Sequence, residues 1–92
     1  FALVHRYEGR MPVYHFDAYR LESIQEMLDI GSDEMIYGKG VSIIEWADRV
    51  PGCLPEEYLM ITLTSISKNE RKIELCSNGR CYDEIIDKLV IN

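Results

Sequence analysis

The chain has 92 residues, 47% of them hydrophobic, and suits one compact domain that buries about 60 to 65% of its unfolded surface. Lys and Arg number 10 against 16 Asp and Glu, a net charge of -6, which is the wrong sign for a chain that must hold a nucleic-acid backbone by itself. A nucleotide triphosphate meets the same average field, so a site for one needs a local Lys, Arg, metal ion or helix N-terminus.

In chain order, residues 1–7 carry the β-branched and aromatic composition of a strand, 8–12 (Glu-Gly-Arg-Met-Pro) form a turn, and 13–17 resume the strand pattern, which predicts a hairpin. The sequence opens on Phe1-Ala2-Leu3-Val4 with no initiator Met, inside that first strand, and a piece upstream is therefore expected. Ser23-Ile24-Gln25-Glu26 fits a capping box, and Ile24, Met27 and Leu28 then fall on one helical face, with Gly31 where a C-cap belongs. Residues 32–37 add a helical turn before Gly38-Lys39-Gly40 breaks the pattern. Residues 41–45 are then a short strand, apolar but for Ser42 and its last residue, and read as buried.

Residues 48–55 hold Pro51 and Pro55 and read as a connecting loop. Leu59, Ile61 and Leu63 alternate with Met60, Thr62 and Thr64, and residues 72–76 alternate likewise, so the two runs pair as a second hairpin. From residue 80 to 90, Ile85, Ile86, Leu89 and Val90 recur at helical spacing, and an amphipathic helix closes the chain. Bare strand edges predict self-association. Cys53, Cys76 and Cys81 lack CxxC spacing, which argues against a zinc site or a closed disulfide framework and for reduced packing thiols in a cytoplasmic protein. No apolar stretch approaches the roughly 18 residues of a membrane span.

The chemistry gathers at two strand ends. Residues 13–17 end on Asp17 with Tyr19-Arg20 close behind, and residues 41–45 end on Glu45 followed by Trp46. A buried strand that delivers an acid at its carboxyl end is how open α/β sheets build nucleotide and metal sites, and Ile43-Ile44-Glu45 has the pattern of a Walker B strand. Alternation puts His15 and Asp17 on one strand face and Phe16 on the other. Each residue also has a plainer reading: His15 as a strand histidine with a satisfied partner, Trp46 as a loop anchor, and Arg20 and Arg49 as partners of Glu22 and Asp48.

Residues 12–22 (Pro-Val-Tyr-His-Phe-Asp-Ala-Tyr-Arg-Leu-Glu), together with Ile43-Ile44-Glu45-Trp46, closely resemble the bacterial TsaE (YjeE) proteins. These are small P-loop ATPases that act in making the threonylcarbamoyladenosine modification of tRNA. The resemblance implies a three-layer α/β P-loop NTPase fold, with this chain as the later part of a single domain. It implies that Asp17 and Glu45 face bound magnesium and ATP and are needed for hydrolysis, that Trp46 lies beside the nucleotide, and that Tyr19, Arg20 and His15 share that patch. It implies TsaB and TsaD as partners, with direct contact to tRNA left to another subunit.

The chain departs from the family pattern in one large respect. The glycine-rich loop ending in Lys-Thr or Lys-Ser, whose amides and lysine hold the phosphates, has no counterpart here, since Gly38-Lys39-Gly40 has neither the spacing nor the hydroxyl. A smaller departure is Ala47, where many relatives have proline. Two other classes stay open on residues alone: a non-catalytic acidic interaction module, and an unrelated metal-dependent hydrolase using Asp17, Glu45 and His15. The 92 residues by themselves are expected to turn over no ATP. A phosphate-release assay with and without magnesium checks this, and magnesium-dependent turnover by the isolated chain contradicts it.

Overall fold

A computed structural model describes residues 3–89, and these fall into two compact units that meet in sequence between Pro55 and Glu56. The first unit holds a mixed sheet in the order β1-β2-β3, formed by Val4–Tyr7, Val13–Asp17 and Val41–Glu45. The hairpin of β1 and β2 is antiparallel, as the turn at 8–12 predicts, and β3 then runs parallel to β2. A parallel neighbour needs a crossover, and the helices α1 (Ile24–Asp29) and α2 (Ser32–Ile36) supply it.

Strand register and side-chain alternation divide this sheet into two unlike faces. Phe16 lies opposite Val4 on one side and Ile44 on the other, so these side chains share a face. That face carries the core: Phe16 and Met27 are fully buried and pack with Ala18, Leu21, Val50 and Cys53, with Tyr14, Met35 and Ile44 partly buried around them. Burying a side chain such as Phe16 or Met27 contributes about 1.5–3 kcal/mol, and burial also pushes the Cys53 thiol pKa up, leaving it a packing residue.

The opposite face carries His15, Asp17, Ile43 and Glu45. Here the structure departs from the sequence reading, which took residues 41–45 for a buried strand. Val41 is 44% and Ile43 52% exposed, because α1 and α2 cover only the Phe16 side. A run of apolar residues records a strand that can be covered on both faces, and the sequence does not say which face these 92 residues cover.

Local chemistry explains most of the element ends. Gly31 stops α1 in the left-handed conformation (φ 83°), with its N–H donating to the Leu28 carbonyl at 3.0 Å. Gly40 (φ 146°) must be glycine for a second reason: a Cβ there would lie 2.5 Å from the Pro12 carbonyl oxygen, which accepts the Val41 N–H that opens the β2–β3 ladder. The expected capping box does not form. Ser23 is the N-cap, yet its side chain makes no cap bond, and the Glu26 carboxylate accepts instead from the Glu22 N–H at 3.3 Å, one residue too early. Residues 48–55 are two single turns of 3-10 helix, Ala47–Arg49 and Pro51–Cys53, joined at the buried Val50.

The second unit is an antiparallel ribbon, β4 (Tyr58–Ser67) and β5 (Glu70–Asn78), with α3 (Asp83–Leu89) after it. Ile61 faces Leu75 and Leu63 faces Ile73, so the alternation read in the sequence becomes one apolar ladder, with Thr62, Glu74, Thr64 and Lys72 on the reverse side. Gly79 (φ 93°) turns the chain out of β5, where the Glu57 carboxylate accepts from the N–H groups of Arg80 and Cys81 at 2.9 and 3.3 Å. Cys76 and Cys81 are free and exposed, so the expected packing role holds only for Cys53. Val90, expected in the last helix, lies outside the described residues.

The two faces of the first sheet make a stability test. Phe16→Ala should cost about 3–5 kcal/mol in urea unfolding of the chain, while Ile43→Ala, from the exposed face, should cost about 1 kcal/mol or less.

Candidate functional site

Asp17 and Glu45 occupy matched positions, the last residue of each of two parallel, hydrogen-bonded strands. Because the register runs Val13 to Val41, His15 to Ile43 and Asp17 to Glu45, both acids lie on the same face at the carboxyl edge. Both are exposed. This edge is where open α/β sheets place their ligands.

Several contacts fix the pair. The Ala18 N–H donates to the Glu45 carbonyl at 3.1 Å, which carries strand pairing one step past the acids. Asp17 accepts the Tyr19 N–H on Oδ1 at 3.0 Å, so the residue that ends β2 also caps the turn after it. Glu45 Oε1 makes a hydrogen bond with His15 Nε2, diagonally across the same sheet face. Sequence alternation put His15 beside Asp17, whereas its observed partner is Glu45, which became visible only once β2 and β3 were known to pair.

Behind the acids stands an aromatic cluster. Trp46 has φ 59° and ψ 42°, the left-handed region that a bulky side chain seldom adopts and that costs of order 1–3 kcal/mol. Its ring centroid lies 4.9 Å from that of Tyr19, tilted by 52°, and the Arg49 guanidinium sits 4.9 Å from the other ring of the pair, Tyr19. Such tilted aromatic pairs and cation–ring contacts each contribute about 0.5–1 kcal/mol at exposed positions. Tyr19 and Trp46 are 46% and 53% exposed, so the cluster is a surface feature and Trp46 is not a core anchor. The sequence offers Asp48 as the partner of Arg49, and the position of Arg49 over Tyr19 has no signal there beyond its being cationic and near.

The described residues contain no group of three or more His, Cys, Asp or Glu side chains arranged to hold a metal ion. Asp17 and Glu45 instead offer two hard carboxylate donors side by side. That set fits magnesium, which is commonly held by one or two carboxylates and completes its shell with water and phosphate oxygens. A cavity of about 410 Å³, lined by Val4, Arg6, Tyr14, Ile30 and Met35 among others, opens on the helix-covered side of the sheet and does not include the acids. No helix among the described residues is long and apolar enough to cross a membrane.

Comparison with known proteins gives this geometry a family. The family model described as threonylcarbamoyl adenosine biosynthesis protein TsaE matches residues 1–73, spanning β1 through most of the ribbon. The chain is 44% identical over 73 residues to the tRNA threonylcarbamoyladenosine biosynthesis protein TsaE of Treponema pallidum, covering 79% of this chain and 54% of that protein. It is 36% identical over 90 residues to the protein of the same name from Bacillus subtilis, covering 97% of this chain and 56% of that one. The crystal structure of Bacillus subtilis YdiB superposes with a TM-score of 0.80 at 32% identity, covering 97% of this chain and 55% of YdiB. The chain thus spans about half the length of the curated relatives it matches. With the family model running through both acid-bearing strands and the aromatic turns behind them, this chain belongs to the TsaE family.

Proposed function

We propose that these residues form the acid-bearing part of an ATP-hydrolysing subunit required for threonylcarbamoyladenosine modification of tRNA. The observation that carries the proposal is the register of β2 and β3, which sets Asp17 and Glu45 opposite each other at the carboxyl ends of parallel strands. The proposed fold of the longer protein is a three-layer P-loop NTPase domain in the cytoplasm, to which this chain contributes the acids and a segment outside the 92 residues contributes the phosphate loop.

In this reading Asp17 and Glu45 are the carboxylates that hold magnesium, directly or through its water. Bound magnesium neutralises charge on the phosphates. The protein's own share is positioning, which dominates phosphoryl transfer to water. His15 holds the Glu45 carboxylate, the Tyr19 amide holds Asp17, and the Ala18-to-Glu45 backbone bond keeps the two strand ends together. Neither acid is a nucleophile. Trp46, Tyr19 and Arg20 form the rim beside the nucleotide.

The net charge of -6 fits a subunit that leaves tRNA contact to others, and TsaB and TsaD proteins are the proposed partners. The reading as a metal-dependent hydrolase built on His15, Asp17 and Glu45 is weaker, because these side chains do not form a three-ligand group and His15 is engaged with Glu45.

The test uses a protein of the relatives' full length that carries these residues. Glu45→Gln and Asp17→Asn should each lower magnesium-dependent ATP turnover roughly 100-fold or more and abolish restoration of threonylcarbamoyladenosine in tRNA from cells depleted of their own TsaE, measured by nucleoside mass spectrometry. Wild-type turnover in either variant contradicts the proposal.

A further inference from the structure

We propose that Arg49 is a positioning residue for the two acids: its guanidinium holds Tyr19 against Trp46 and thereby fixes the loop that leaves each acid-bearing strand. The inference rests on the reading of Asp17 and Glu45 as one joint site. It starts from Trp46, which follows Glu45 directly and is the one residue other than glycine with positive φ among the described residues. A bulky residue keeps that conformation only where its surroundings impose it. Trp46 is 53% exposed, so packing behind the ring does not impose it.

What surrounds the ring is a short chain of contacts. The Arg49 N–H donates to the Trp46 carbonyl at 3.0 Å and closes the turn, which brings the Arg49 side chain back over Tyr19. The Tyr19 ring thus contacts both groups, its centroid 4.9 Å from the guanidinium carbon and 4.9 Å from the indole centroid. Among the described residues no ion pair joins Arg49 to the neighbouring Asp48, so the contact it makes is with the ring. Arginine suits this place because its planar, weakly hydrated cation stacks on an aromatic face at little solvation cost.

The stack bears on the acids through two backbone bonds. The Tyr19 N–H is the donor to Asp17 Oδ1, and the Ala18 N–H is the donor to the Glu45 carbonyl. Tyr19 belongs to the loop after β2 and Trp46 to the loop after β3, so one cation–aromatic cluster ties the two exits together. Without it, Tyr19 and Trp46, which follow the two acids, lose their side-chain restraint while the β2–β3 ladder and the core residues Phe16, Ala18 and Ile44 remain.

The experiment compares the chain with Arg49→Ala and Arg49→Met variants, without nucleotide or metal. Amide hydrogen exchange by NMR should speed up at Ala18 and Tyr19 by roughly three- to five-fold, the size a surface cation–ring contact supports, with the His15 and Phe16 amides unchanged. Acrylamide quenching of Trp46, the single tryptophan, should increase in the same variants. Tyr19→Leu should give the same changes, and adding R49A to it should give nothing further. Unchanged exchange and quenching overturn the proposal, as does faster exchange spread evenly over β2 and β3, and so does loss of the fold in both Arg49 variants, which would make the residue purely structural. Because no nucleotide is present, failure here leaves the assignment of Asp17 and Glu45 standing, and inert carboxylate variants leave the stack standing.

Discussion

The parallel pairing of β2 with β3 is the constraint on which the rest depends. A slip of one residue would turn every side chain of one strand to the opposite face, moving Glu45 toward the helices and Ile44 into the open. The register is held at three levels. Val41 bonds to the Pro12 carbonyl at the start and Ala18 to the Glu45 carbonyl at the end, while Phe16 and Ile44 meet side by side in the core. Gly40 lets the first of these form, since any Cβ there would collide with Pro12. The site is thus a consequence of core packing on the far side of the same sheet.

This arrangement explains how weakly packed residues keep a defined geometry. Asp17, Glu45, Tyr19 and Trp46 are all exposed, and exposed pairs contribute little stability individually. Their order comes from short-range restraints: a carboxylate on an amide two residues away, a histidine across the sheet face, and a tilted aromatic pair under a guanidinium. Each belongs to a loop or strand end rooted in the buried cluster of Phe16, Ala18 and Val50. A buried base thus carries an open rim on which two acids and an aromatic pair hold defined positions.

Much of this was legible in the sequence because it is local. Apolar runs ending in an acid located both strands, the turn residues at 8–12 located the first hairpin, and alternation located the ribbon and its apolar side. Non-local features were not legible. That residues 41–45 pair with 13–17 in parallel, that His15 meets Glu45 and that Arg49 covers Tyr19 all depend on the crossover between the strands. The capping box failed for a local reason: Ser23 and Glu26 have the right spacing, yet the Glu26 side chain satisfies the Glu22 amide instead. The exposed side of β3 was misread because apolar composition records what can be covered and not what covers it.

The most direct measurement of the central claim is paramagnetic line broadening in the chain titrated with manganese as a stand-in for magnesium. A shared carboxylate site predicts that signals of Asp17 and Glu45 broaden together at the lowest manganese concentrations, and that Asp17→Asn removes the effect at Glu45 as well. Broadening at one acid without the other, or first at the acidic start of α3 around Asp83 and Glu84, would contradict it.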